Sequence, residues 1–272
     1  MIKKSGMLIT RLMKTKNLRG KLIYLPLICM ILLHMPIVFA ATSSHIHAAF
    51  VNVSQKNNSD TAVTALLANS GSDMDVVEAE YESMHLDEMG LSKTAFNYAI
   101  KGFNYLVQTG KLAKDNIISI VDFSKPSSQK RLFVIDLNNL RVLYNTYVAH
   151  GVKSGKEYAN QFSNTPESNK SSLGFYETKS TYLGGNGYSL RLAGLERGIN
   201  DNAERRDIVI HGADYVDESL IRSQGYIGRS WGCPALPEKL HKPIIDKIKN
   251  GTCLFIYGPD NTYLKKSKII NA

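Results

Sequence analysis

The chain has 272 residues, with 33 Lys/Arg against 24 Asp/Glu, a formal net charge of +9 at pH 7 and 43% hydrophobic residues. Seven of the basic residues and none of the acidic ones lie in Met1 to Ala40, so residues 41–272 carry 26 basic against 24 acidic side chains, a net charge of only +2. That near balance removes the basic isoelectric point as an argument for nucleic acid, the apolar content excludes a wholly disordered chain, and three cysteines are too few for a disulfide framework.

Residues 1–40 read as a signal peptide. A basic start is followed by an apolar run from Leu22 to Phe39, and Val38-Phe39-Ala40 offers the small or apolar residues that a signal peptidase reads. A retained membrane anchor is the competing reading, but Pro26, His34 and Pro36 interrupt the run. Export to the periplasm or cell envelope is therefore expected, with membrane contact only through this segment if it stays uncleaved. Residues 41–72 are rich in Ser, Asn, Thr and Ala without a period and read as a flexible lead; His45 and His47 there lack a third ligand at metal-site spacing, so no metal is expected.

Residues 73–112 read as a helical region. Asp73 to Leu86 is weakly amphipathic, whereas Lys93 to Thr109 has Ser92 as its N-cap, Gly110 beyond its end, and Ala95, Phe96, Ala99, Ile100, Phe103, Leu106 and Val107 on one face. A face that wide must cover something, and the strands that follow are the candidate. Residues 113–260 read as the main domain. Strands are expected at Ile117 to Phe123, Arg131 to Leu137, Arg141 to Val148, Leu173 to Thr178, Ser189 to Leu195, Asp207 to Ile210 and Thr252 to Tyr257. Lys153 to Lys170 reads as a long loop, Gly184-Gly185-Asn186-Gly187 as a plain turn, and Glu196 to Arg206 as a polar stretch whose Arg197, Arg205 and Arg206 are mostly solvated. A short helix is expected from Pro243 to Asn250, with proline at its first position, and residues 261–272 read as a basic tail. Strands dominate without regular βαβ alternation, so the expected fold is mainly β (α+β): a mostly antiparallel sandwich or barrel with a few packed helices.

The chemistry concentrates between Asp207 and Leu236. Asp207 to Ile210 is a buried-strand run, and His211-Gly212 follows where the chain leaves the sheet, a common mount for a catalytic group. Twenty-two residues later Gly228-Arg229-Ser230-Trp231-Gly232-Cys233-Pro234 carries a cysteine in a polar, glycine-bounded turn. Pro234 has the φ suited to a first helical position, so Cys233 is expected to cap a short helical turn, with the dipole and Arg229 lowering the thiol pKa. Gly232 lets amides turn inward to hold an oxyanion, and His211, titrating near neutrality, is the expected base. Cys253, in an apolar strand, reads as a core thiol.

The pattern His-Gly, a spacer, then Ser-x-Gly-Cys resembles the L,D-transpeptidases of bacterial cell walls, and Gly-Arg-Ser-Trp-Gly-Cys-Pro-Ala is similar to the murein L,D-transpeptidase catalytic-domain branch. The similarity runs from about Leu86 to Gly258 and includes Leu132 to Asp136, Ser172 to Tyr176, Ser189 to Asn202 and His211 to Val216. The resemblance implies the same β fold, no metal or organic cofactor, and peptidoglycan stem peptides as partners. It implies Cys233 as acyl-accepting nucleophile, His211 as general base, the Gly212 carbonyl as its orienting group, and the amides near Gly232 and Cys233 as the oxyanion hole. The commoner family motif has His before the Gly and Arg or Asn shortly after the Cys, where this chain has Trp231 and Pro234-Ala235. The substrate carboxylate then calls for another donor: Arg229, flanked by Ser230 and Trp231, is nearest, with Arg191 and Arg222 as alternatives. The rival readings are an L,D-carboxypeptidase that only hydrolyses, a non-catalytic wall-binding module, and a structural turn stapled by a Cys233–Cys253 disulfide.

Overall fold

The computed structural model describes residues 73–272. The signal-peptide reading of residues 1–40 and the lead at residues 41–72, with His45 and His47, lie outside the described residues. Among the described residues no helix is long and apolar enough to cross a membrane.

Helices α1 (Asp73–Ser83) and α2 (Lys93–Gln108) precede the sheet. Ser92 caps α2 by accepting from the Ala95 amide at 3.2 Å, and its own N–H donates to Asp122 Oδ2 at 3.0 Å. One residue thus starts the helix and ties it to the end of strand β1 (Ile117–Asp122). The buried stripe Ala95, Phe96, Ala99, Ile100, Phe103 and Leu106 packs over the sheet. Gly102 lies in that stripe because a Cβ there would stand 2.0 Å from Phe175 Cζ.

The remaining strands are β2 (Leu132–Asp136), β3 (Arg141–Thr146), β4 (Gly174–Gly184), β5 (Gly187–Gly194), β6 (Val209–Ala213), β7 (Ala235–Pro237) and β8 (Cys253–Tyr257). They form one sheet in the order β3-β2-β1-β8-β4-β5-β6-β7, antiparallel except for the parallel pairs β1–β8 and β6–β7. Just past β3, Ala149 bridges Ala235 of β7 at the opposite edge, so the sheet nearly closes into a barrel. Strands β1, β2, β6 and β8 are buried along their whole length, as strands covered on both faces must be. The expected mainly-β fold with packed helices is the one observed, and the barrel side of "sandwich or barrel" is realised.

Four local expectations are corrected. The helix expected from Pro243 starts earlier, as α4 (Glu238–Ile248), with Pro243 inside it; only the bond from position 243 to the carbonyl of Lys239, an exposed residue, is forgone. Helix α3 (Glu218–Gln224) was not expected, although Asp217 caps it through the Ser219 amide and Gly225 ends it at φ +88°. Cys233 does not cap a helical turn, because the chain after it extends into β7. Residues 261–272 are no free tail: α5 (Asn261–Lys266) buries Tyr263, and Ile269 and Ile270 join the core. Buried Glu196 fastens this end, accepting from Tyr263 Oη at 3.2 Å, from Ser267 Oγ, and from the Phe175 amide at 2.8 Å.

Candidate active site

The parallel β6–β7 pairing sets the geometry. His211, on β6, is in register with Ala235 of the neighbouring β7, and Cys233 comes two residues before that pair, at the end of the turn that enters β7. Both line one cleft of about 680 Å3 together with Arg229, Ser230 and Trp231.

The imidazole is held in one tautomer. His211 Nδ1 lies 2.8 Å from the Gly212 carbonyl, which can only accept, so Nδ1 carries the proton and Nε2 keeps its lone pair. Asp214, the acidic neighbour that could have competed for this role, is exposed and makes no bond to the ring. Gly212 is required by packing: a Cβ there would lie 2.5 Å from His241 Nδ1 and 2.7 Å from Glu238 Oε2 on α4. Burial, first, and the nearby His241 pull the His211 pKa below its usual value, against the Gly212 bond and Glu238. The ring is therefore neutral at physiological pH and can accept a proton.

Cys233 is half-buried, and its thiol donates to the Asp207 carbonyl at 3.5 Å. Its pKa is raised, chiefly by burial, while the Val209 amide and Arg206 favour the thiolate and Asp207 opposes it. The expected depression of the thiol pKa by a helix dipole and Arg229 is therefore overturned: there is no helix at this turn, and the cation coupled to the sulfur is Arg206. Cys253 is fully buried on β8 and both thiols are free, which removes the stapled-turn reading.

The turn is braced from within. Buried Ser230 accepts from the Gly232 amide at 3.1 Å and donates to the Cys233 carbonyl at 2.6 Å, while its own amide donates to the His150 carbonyl at 2.9 Å. The Gly232 amide is thus already committed within the turn, which counts against it as a member of the expected oxyanion pair. Trp231 is 81% exposed at the rim. Arg229 donates to the Gly155 carbonyl at 3.1 Å and lies 5.7 Å over the Tyr226 ring. Of its two alternatives, Arg222 sits on exposed α3 outside this cleft. Arg191 lines an adjoining cleft of about 370 Å3, 4.2 Å over Tyr182. The two clefts meet at Asp207 and Ile208.

Among the cleft residues that escaped the sequence reading are Tyr215, Arg205 and Arg206. Arg205-Arg206 looks like any solvated pair of charges, and no periodic signal could have set Arg206 apart. Tyr215, three residues beyond Gly212 on the chain leaving β6, backs the turn because Gly228 donates to its carbonyl at 2.7 Å. Its hydroxyl pKa is pushed up to about 12, mainly by burial.

A wall of buried polar groups stands behind the turn. Fully buried Arg131 donates to the Val148 and Lys125 carbonyls and contacts His150 Nδ1 at 2.8 Å. Burial lowers the Arg131 pKa to about 9 and, with the Arg131 charge, the His150 pKa to about 3, so His150 is neutral here.

A nearly closed barrel with a cysteine and a tautomer-locked histidine on one cleft defines a candidate thiol-dependent acyl-transfer enzyme. The L,D-transpeptidase catalytic domain model matches residues 87–257, and the chain belongs to that family. No curated protein matches it. Among solved structures it is similar to an L,D-transpeptidase from Mycobacterium smegmatis (13% identity, 53% of this chain and 59% of that one, TM-score 0.33). It is also similar to the helical cell shape determining protein Pgp2 from Campylobacter jejuni (14%, 53% and 48%, TM-score 0.34). A third is L,D-transpeptidase 1 from Mycobacterium tuberculosis (14%, 53% and 62%, TM-score 0.29). The chain spans less than two thirds of each of these proteins.

Proposed function

We propose that the protein is a cysteine-dependent L,D-transpeptidase acting on peptidoglycan stem peptides in the cell envelope. The observation that supports the reading is that Cys233 and His211, its Nδ1 held by the Gly212 carbonyl, line a single cleft.

The neutral Nε2 of His211 takes the Cys233 proton as the sulfur attacks the carbonyl of the diamino-acid residue in a stem tetrapeptide. The Cys233 amide donates to the oxyanion, and the Gly212 carbonyl steadies the imidazolium. Collapse breaks the peptide bond. His211 returns the proton to the leaving amine, D-alanine departs, and a thioester remains on Cys233. An amine of a second stem peptide attacks the thioester, His211 takes its proton, and the thiol is released with a new amide bond; water in its place gives the tripeptide acid. Arg229 binds the terminal carboxylate through its planar fork, and Trp231 walls the peptide. No metal or organic cofactor takes part in these steps.

Intact-mass analysis with a purified tetrapeptide muropeptide tests the reading. An adduct equal to the substrate less D-alanine is expected on the wild type and absent from Cys233→Ala, while cross-linked dimer or free tripeptide among the products separates transfer from hydrolysis. Turnover by Cys233→Ala, or stoichiometric binding with no adduct, would sink it.

A further inference from the structure

Arg206 stands between Glu196–Arg206, a stretch without regular structure, and the strand that carries His211. Its guanidinium is half-buried and makes four hydrogen bonds to the 163–172 loop. Nη1 donates to the Ser163 carbonyl at 2.7 Å and to Ser172 Oγ; Nη2 donates to the Lys170 carbonyl at 2.6 Å and to Ser168 Oγ at 3.2 Å. Every acceptor is neutral, and among the described residues Arg206 has no ion pair. Its charge is therefore not cancelled by the groups that hold it.

A clasp alone does not need that charge. Neutral Asn202 ties the same two segments together, donating to the Asn164 carbonyl at 3.0 Å, and Asn200 holds the carbonyls of Leu173 and Phe175. Partial burial of a guanidinium carries a desolvation cost that an amide escapes, and a nearby anion offsets part of that cost. The guanidinium backs the cysteine turn directly: a Cβ built on Gly232 would lie 3.4 Å from Arg206 Nη2 and 2.8 Å from the Lys170 carbonyl. Arg206 and Cys233 also line the same cleft. The residues after the nucleophile, Pro234 and Ala235, supply no charge of their own.

We infer that Arg206 is a positioning residue for the nucleophile: it clamps the 163–172 loop against the back of the Gly232–Cys233 turn and supplies the positive charge that stabilises the Cys233 thiolate. The inference rests on the reading of Cys233 as nucleophile. The other charged or titratable groups around the sulfur are Asp207 beside Arg206, His211 on β6, Tyr215 beyond it, and Arg229 within the turn. Arg205 and Glu167 also line the cleft, while Lys170 turns its ammonium to Gln161 Oε1. His211, whose pKa is lowered, contributes no standing charge near neutral pH, so Arg206 is the permanent cation seated directly behind the turn.

The test follows alkylation of Cys233 by iodoacetamide against pH, read by peptide mass, in wild type, Arg206→Gln, Arg206→Lys and Arg206→Met. Arg206→Met keeps much of the apolar stem and serves should Arg206→Gln fail to fold. The neutral variants should move the alkylation midpoint up by about one pH unit, a roughly tenfold slower reaction below the midpoint. Arg206→Lys should stay within about a third of a unit of wild type while melting at a lower temperature, because it keeps charge and loses the fork. An unmoved midpoint in the neutral variants overturns the inference, as does a Lys variant shifted as far as the Gln variant. Muropeptide adduct formation by the wild type, run alongside, keeps the two readings apart: an adduct with unmoved midpoints sinks only the role of Arg206, whereas shifted midpoints without an adduct sink only the transpeptidase reading.

Discussion

Cys233 and Cys253 have the same side chain and opposite surroundings. Cys233→Ala should abolish turnover and leave the melting temperature nearly unchanged, because a half-buried turn thiol contributes little packing. Cys253→Ala should keep most activity while losing about 1 kcal/mol of stability, as removal of a small buried group does. Turnover assays and thermal melts on both variants check this; equal loss of activity would contradict it. The lowered pKa of His211 sets the acid limb of activity: the base loses its lone pair only when the pH falls through that pKa, so the rising limb of kcat/KM should have its midpoint below about 6.5. Asp214→Asn should leave that limb in place, since the ring is oriented by the Gly212 carbonyl. A midpoint at or above 6.5, or an Asp214→Asn loss as severe as that of His211→Ala, would contradict the assignment. Arg229→Lys keeps the charge and loses the fork, so it should raise KM for a tetrapeptide several-fold while the alkylation rate of Cys233 stays the same. Unchanged kinetics in this variant would redirect attention to Arg191, in the adjoining cleft.

Helix α2 makes a contact whose sign can be worked out at the level of the element. On helix propensity alone, Gly102→Ala should stabilise by about 1 kcal/mol. Packing opposes it, because the new methyl would stand 2.0 Å from Phe175 Cζ, and that ring is stacked on Phe255 with centroids 4.2 Å apart and cannot swing aside freely. Overpacking a core of this kind costs about 1–3 kcal/mol, so packing wins and the variant should be destabilised. Urea unfolding reads the sign directly. The same element shows what a pattern conveys: Ser92, the stripe and the stop of α2 were all legible, because capping and a 3.6-residue period are local. Strand β7 was not, since three residues carry no period and its partner β6 arrives only through a parallel pairing.

For the whole molecule, the chain's end decides more than its sequence suggests. Tyr263 and Ser267 bond to Glu196, and Ile269 and Ile270 lie in the core, so removing residues 261–272 should expose apolar surface and leave Glu196 short of partners. The Glu196 carboxyl has its pKa raised, mainly by burial. Its folded form holds a proton to higher pH than the unfolded chain does, so its contribution to stability is fully present below the unfolded pKa of about 4.3 and is lost as the pH rises through the folded pKa. Glu196→Gln, neutral throughout, should therefore lose less stability than wild type between pH 4 and pH 7. Parallel losses in urea unfolding at the two pH values would contradict this.

Composition, periodicity and short motifs determined the strand-rich class, the capped helix α2, most strands, and His211 and Cys233 as candidates that the fold brings to one cleft, because those signals are written in consecutive or regularly spaced residues. The tertiary structure decided the rest. Cys233 precedes a strand rather than a helix, its thiol pKa is raised rather than lowered, Arg206 is drawn behind the turn, and the terminal segment docks on Glu196. Each depends on groups far apart in sequence and on how much water is excluded around them. Desolvation and long-range register are properties of the packed chain, and no local window of residues contains them.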